Sequence, residues 1–187
     1  MQMVTNHRLF AEFAELILSD HDLPPQVRGE MRQMCGLYDE EKLVLVVSRD
    51  QDVGRVVGVA AFFIAPENQV NNGWQAVKAF ALTSDEAKTA GRVVVVLAAV
   101  YIAKDHRDGK TMSSILLQVN AQVENLATGS LRAAMIIAPD TNIRSVIELY
   151  ENLGLRRKEY NSHAAFYVAP PLVVVSRAKA LLGALAG

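Results

Sequence analysis

Hydrophobic and polar positions alternate between two periods along this chain, and the change from one to the other marks its most informative stretch. Val93 to Ile102 (VVVVLAAVYI) is an unbroken apolar run rich in β-branched residues, which predicts a strand buried on both faces. Lys104 to Lys110 then brings charge and one glycine. From Met112 the apolar positions take helical spacing, with Ile115, Val119, Val123 and Leu126 on one face. A strand feeding a helix through Gly109, Thr111 and Ser113 gathers backbone N–H groups at the positive end of the helix dipole. Such a corner suits an anion, most naturally a phosphate.

The same reading extends in both directions. Lys42 to Ser48 and Val56 to Ile64 predict two strands joined by the hairpin turn Arg49 to Arg55. Arg132 to Ala138 predicts a further buried strand, ended by Pro139-Asp140. Thr141-Asn142 offers capping side chains to a helix with Ile143, Val146, Ile147, Tyr150 and Leu153 on one face. Gly154 is placed to stop it. Arg156 to Val168 predicts a turn and closing strands. Upstream, Phe10, Phe13, Ala14 and Ile17 predict an amphipathic helix, closed around Asp20, His21 and Asp22, and a second helix spans Gln26 to about Leu37. Pro66 to Arg92 has no clear period, and Trp74 to Leu82 reads equally as helix or strand. Leu172 to Gly187 is a short apolar tail carrying Ala178, Leu181, Leu182 and Leu185, interrupted by Arg177 and Lys179 and too short to span a bilayer. Its expected place is on the protein itself or on a second subunit.

At 187 residues, 51% hydrophobic and 21% charged, the chain suits one domain with a substantial core, residues 1–171, plus the tail 172–187. A net charge of −1 supplies no field for nucleic acid or an anionic membrane. The lone Cys35 forms no internal disulfide framework, and His7-Arg8 precedes an acid-containing helix rather than a signal-peptide core. The expectation is a cytoplasmic protein without a metal.

Two loop types compete for the anion site. Gly109-Lys110-Thr111 matches the end of the nucleoside-triphosphate loop G-x-x-x-x-G-K-[ST], but Lys104 stands where that motif needs its first glycine. Asp105 and Asp108 would also set negative charge beside a triphosphate. The other candidate is Ile102-Ala103-Lys104-Asp105-His106-Arg107, which resembles the V-x-P-[DE]-[YHF]-R segment of the GNAT superfamily of N-acetyltransferases. The form H-R-x-G-[KR]-T is similar to a variant in small phage and bacterial members. Counted from Arg107, the two glycine positions of that family's R-x-x-G-x-G/A carry Lys110 and Met112, and a Cβ there can obstruct close backbone approach. Downstream, Asn142…Leu149-Tyr150-Glu151-Asn152-Leu153-Gly154-Leu155 resembles the family's N-x-x-A-x-x-L-Y-E-K-L-G-F segment, with the asparagine one residue further away. Together the resemblance covers about Leu43 to Val168.

That resemblance implies an α/β fold: a mixed, mostly antiparallel central sheet flanked by helices. It implies transfer of an acetyl group from acetyl-CoA to an amine, on a small molecule or a protein, by direct attack in a ternary complex. Ile102, Ala103, Arg107, Asp108, Gly109, Lys110, Thr111, Met112 and Ser113, with Asn142, would hold the coenzyme. A backbone N–H near Ile102 or Ala103 would stabilise the oxyanion. Tyr150 would protonate the leaving thiolate, although packing on its helix face explains it equally well. The family often places a base carboxylate on the strand before the loop; Val93 to Ile102 holds none, so of Asp85 and Glu86 just upstream Glu86 is the first candidate, with a water chain or solvent as the alternative. The altered glycines and the missing carboxylate leave open a GNAT-like protein acting through a protein partner, and Gly109-Lys110-Thr111 leaves open a nucleotide binder. A homo-oligomer completes the expectation.

Overall fold

The computed structural model describes residues 11–12, 14–15, 42–50, 52, 54–107, 109–126, 133–162 and 164–184. The expected second helix, most of the first, Asp20 to Asp22, Cys35, Asp108 and Leu185 lie outside them. Six strands form one sheet in the order β1-β2-β3-β4-β6-β5. They are β1 (Val44–Arg49), β2 (Val56–Pro66), β3 (Val93–Ile102), β4 (Ala133–Pro139), β5 (Arg156–Asn161) and β6 (Ala164–Ala169). Every neighbouring pair is antiparallel except β3 with β4.

The uniform apolar runs become the central strands because both sheet faces are covered. On one face Val59, Ala61, Phe63, Val94, Val96 and Phe166 pack with Val77 of the helix α1 (Trp74–Ala79). On the other, Ala60, Phe62, Val95, Leu97 and Tyr167 meet Met112, Ile115, Val119 and Val123 of a long helix, with Val174 and Ala178 of the C-terminal one. The unreadable stretch 67–92 resolves into a 3-10 turn at Glu67–Asn72, then α1 and the short α2 (Ser84–Thr89). Trp74 therefore begins a helix, not a strand.

The helix after β3, α3 (Lys110–Leu126), starts two residues before the first apolar position of its stripe. After β4 comes α4 (Arg144–Asn152). Neither Thr141 nor Asn142 caps it: the N-cap residue is Ile143, with no side-chain cap, and the Thr141 hydroxyl accepts instead from the Ile143 N–H at 3.2 Å. Its other end closes as expected. Gly154 adopts φ 83°, its N–H reaches the Glu151 carbonyl at 2.9 Å, and the Leu155 N–H reaches that of Tyr150 at 2.9 Å.

The tail forms α5 (Pro171–Ala184), opened by a proline that needs no N–H in the first turn. Val174 and Ala178, four residues apart, are buried in the second cluster, so the tail docks on its own chain. No helix among the described residues is long and apolar enough to cross a membrane.

Candidate functional site

The parallel pair β3–β4 holds together only at its beginning. Its register runs from Val93↔Ala133 to Val96↔Ile137. Beyond that, β4 continues through Ala138 and Pro139 against β6, while Leu97 to Ile102 pair with β2 alone. The β2–β3 register also jumps, from Phe62↔Leu97 to Ala61↔Ala99, leaving Ala98 as a bulge. The two strands thus part at the bulge, and a cleft opens between them toward their carboxyl ends. Exposure follows the split: Val93 to Ala98 are buried and Ala99 to Ile102 are half-buried.

Hydrogen-bond alternation decides which amides face the cleft. Ala103 N–H bonds to the Val57 carbonyl at 2.8 Å. That donor, one of the two expected to hold an oxyanion, is already engaged. In an antiparallel ladder the bonded pairs alternate, so the N–H groups of Val100 and Ile102 point away from β2 and into the cleft.

The loop beyond is closed by its own bonds. Lys104 to His106 make a 3-10 turn, His106 N–H bonds to the Ala103 carbonyl at 2.9 Å, and Arg107 Nε donates to the Ile102 carbonyl at 2.9 Å. His106 Nε2 lies 3.7 Å from an Asp50 carboxylate oxygen, linking the loop to the β1–β2 turn. Gly109 supplies a left-handed φ of 79°, and its carbonyl accepts the first helical bond, from Ser113 N–H at 3.0 Å. The positive end of the α3 dipole therefore lies over residues 109–112 at the cleft mouth.

Met112 and Lys110, the two side chains at glycine positions, take different paths. Met112 turns into the core beneath α3, while Lys110 is exposed. Ser113 departs from expectation: it is fully buried, and its hydroxyl has no partner among the described residues. It is sealed under the helix, not presented to the loop. Gly58 of β2, which the sequence reading passed over, lets this corner form. A Cβ there would sit 2.8 Å from Ile115 Cδ1 and 2.9 Å from Thr111 Cγ2, so glycine lets the first turn of α3 lie this close to the sheet with both side chains undisturbed. Its place opposite Ile102 could not be read without the register.

Tyr150 is half-buried on α4, on the same sheet face as α3, with its ring 5.0 Å from that of Tyr167. Tyr167 lies on β6 and pairs with Ala138 of β4, so the ring contact sets Tyr150 beside the strand next to β4. Asn142 is exposed in the β4–α4 connection. Glu86 is not brought to this place. It is the third residue of α2, before β3 begins, and ten strand residues at about 3.3 Å each put it roughly 30 Å from the loop. Its carboxylate accepts from Thr83 N–H at 2.8 Å and the Thr83 hydroxyl at 2.9 Å in a capping box. Those bonds hold its pKa below the ordinary value.

No family model matches the sequence, and no curated protein does so either. Solved structures do match. A GNAT-family protein from Desulfovibrio desulfuricans superposes with a TM-score of 0.55 at 13% identity, over 88% of this chain and 93% of the other. An aminoglycoside antibiotic 6'-N-acetyltransferase from Acinetobacter baumannii gives 0.50 at 14% identity, over 81% and 87%. A ribosomal-protein-alanine N-acetyltransferase from Brucella melitensis gives 0.50 at 17% identity, over 88% and 94%. The chain has the fold of the GNAT acetyltransferases: a mixed, mostly antiparallel six-stranded sheet with helices on both faces.

Proposed function

We propose that the chain transfers an acetyl group from acetyl-CoA to a primary amine, both bound at once in the β3–β4 cleft. One observation carries this reading: the strands part at the Ala98 bulge, and the opening has β3 amides turned toward it on one wall. The residues suit the coenzyme. Gly109 and the start of α3 offer a positive dipole to a diphosphate, Lys110 adds charge at the mouth, and Met112 is withdrawn into the core.

In this reading the Ile102 and Val100 amides hold the oxyanion formed when the amine attacks the thioester carbonyl. As the carbon–sulfur bond breaks, Tyr150 gives its phenolic proton to the departing thiolate, and the amine's surplus proton passes to water. The coenzyme supplies the activated acyl group. Similarity to acetyltransferases of known fold supports this chemistry in general.

Thermal unfolding with acetyl-CoA, free CoA and magnesium-ATP in parallel tests the reading. At a hundred times its dissociation constant, a specific ligand adds about 2.7 kcal/mol, a rise of roughly 5–11 °C for a domain of this size. Stabilisation by acetyl-CoA and CoA, with none by ATP, is the expected result. Stabilisation by ATP alone would favour the nucleotide loop. Silence from all three would favour a partner-binding protein, the reading suggested by Lys110 and Met112 at glycine positions and by the sealed Ser113 hydroxyl.

A further inference from the structure

The turn between β1 and β2 stands at the mouth of the cleft. Gly58 lies opposite Ile102, and the Val57 carbonyl receives the Ala103 N–H at 2.8 Å, so the first residues of β2 flank the carboxyl end of β3. Asp50 closes that turn. Its N–H donates to the Arg55 carbonyl and its carbonyl accepts from Gly54 N–H, both at 2.9 Å. Its Oδ1 accepts from Asp52 N–H at 2.8 Å, an Asx turn that fixes the carboxylate. Its Oδ2 lies 3.7 Å from Nε2 of His106 in the anion loop, and the two side chains are only 22% and 26% exposed.

The distance decides what kind of contact this is. At 3.7 Å it is too long for a hydrogen bond, so its strength is Coulombic and depends on the imidazole carrying its proton. Histidine is the side chain that gains or loses a charge between about pH 5 and 8. The neighbouring charges are placed differently. Arg49 donates to Glu12 of the first helix at 3.2 Å and to the Gly54 carbonyl at 3.0 Å, and Arg107 Nε donates to the Ile102 carbonyl. Asp52, Arg55, Lys104, Asp105 and Lys110 are exposed, where water and salt screen them. His106 ends its 3-10 turn just ahead of Gly109, where the chain bends into α3. The two hydrogen bonds described above for this loop begin and end within residues 102–107, whereas the Asp50 contact anchors it to a separate segment.

We propose that Asp50 is a positioning residue for the anion loop: through protonated His106 it holds the start of α3 ready for a diphosphate, and coenzyme binds more tightly in mild acid than in mild alkali. This rests on the acetyl-transfer reading above. A loop already ordered loses less conformational freedom when the ligand arrives, and the ligand binds more tightly for it. The sign of the effect separates this latch from a simple field. A carboxylate beside an anion site repels the ligand, so by charge alone its removal strengthens binding. The latch requires that its removal weaken binding. Asp50→Asn makes the comparison, because the asparagine side-chain oxygen can still accept from Asp52 N–H and keep the turn closed.

The full chain, as wild type, Asp50→Asn, His106→Gln and the double variant, is titrated calorimetrically with dephospho-CoA at pH 5.5 and 8.0. This ligand lacks the titrating 3'-phosphate, and its diphosphate keeps one charge state across that range. Wild type is expected to bind at least threefold tighter at pH 5.5. Each single variant binds at both pH values within twofold of wild type at pH 8.0, and the double variant is no weaker than the singles by more than twofold. Without ligand, ¹⁵N relaxation of the Gly109 amide should give an order parameter of about 0.85 in wild type at pH 5.5, and below about 0.6 at pH 8.0 and in the variants. Tighter binding by Asp50→Asn than by wild type at pH 5.5, an unchanged pH ratio in either single variant, or a Gly109 amide insensitive to pH would overturn the proposal. Dephospho-CoA binding without pH dependence rejects the latch and keeps the transfer reading. A Gly109 amide that orders with pH through Asp50, with no dephospho-CoA binding at either pH, keeps the latch and rejects the transfer reading.

Discussion

Gly58 gives the sharpest test of how the anion corner is built. A Cβ at this position meets Ile115 Cδ1 at 2.8 Å and Thr111 Cγ2 at 2.9 Å, where ordinary contact is 3.4 to 4 Å. Ile115 is fully buried, so any turn of its terminal methyl meets other core side chains. Overpacking of this kind costs about 1–3 kcal/mol. Glycine in a strand is itself poorer than alanine by roughly 0.5–1 kcal/mol, which Gly58→Ala regains. The net loss is about 1 kcal/mol, or roughly 2–4 °C in Tm. The relief available is a shift of α3 by a few tenths of an ångström or more, and this moves the helix start that faces the ligand. Gly58→Ala should therefore lower Tm slightly while weakening coenzyme binding at least tenfold, and Gly58→Val should do both more severely. Gly183→Ala is the control: nothing lies within 4 Å of its Cβ, and an alanine within α5 should stabilise by roughly 0.5–1 kcal/mol. Calorimetric titration of CoA beside thermal melts reads both quantities. If Gly58→Ala bound CoA as tightly as the wild type, the close approach of α3 to β2 would not be what shapes the site.

Tyr150→Phe keeps the contact with Tyr167 and removes the acid, so turnover should fall at least tenfold with acetyl-CoA affinity nearly unchanged; unaltered turnover would remove the phenol from the chemistry. Val174→Ala should cost about 2 kcal/mol, because its side chain is buried under α5, whereas Leu172→Ala, 80% exposed, should change stability by less than about 0.5 kcal/mol. Equal melting points for these two would show that the tail does not dock as described. Glu86 has a pKa held below its ordinary value by Thr83. Its contribution to stability is present above the ordinary carboxylate range and lost as pH falls through the depressed value. Melts of wild type and Glu86→Gln should accordingly converge toward acid, with activity at pH 7 unchanged by the substitution.

Much of this molecule was legible from local pattern. Val93 to Ile102 forms the strand read from its apolar run, Ile115, Val119 and Val123 form the buried stripe of α3, and Gly154 ends α4, because each depends on residues a turn or a few bonds apart. Glu86 was misread for an equally local reason: Thr83-Ser84-Asp85-Glu86 carries the spacing of a capping box, and the carboxylate is used there. Asn142 and Ser113 show the limit from the other side. A polar residue near a helix start can cap, face solvent or be sealed in, and only its neighbours in space select among these.

From Leu43 to Val168, outside the stretch 67–92, the order of strand, loop and helix was thus determined by sequence alone, since hydrophobic period and turn chemistry act along the chain. The site required the tertiary structure. The parting of β3 from β4 at Ala98, the amides turned into the cleft and Gly58 beneath α3 all arise from register between segments far apart in sequence. One residue of slip reverses every side chain and every amide across a sheet, and no periodicity within a single strand records which partner it will face.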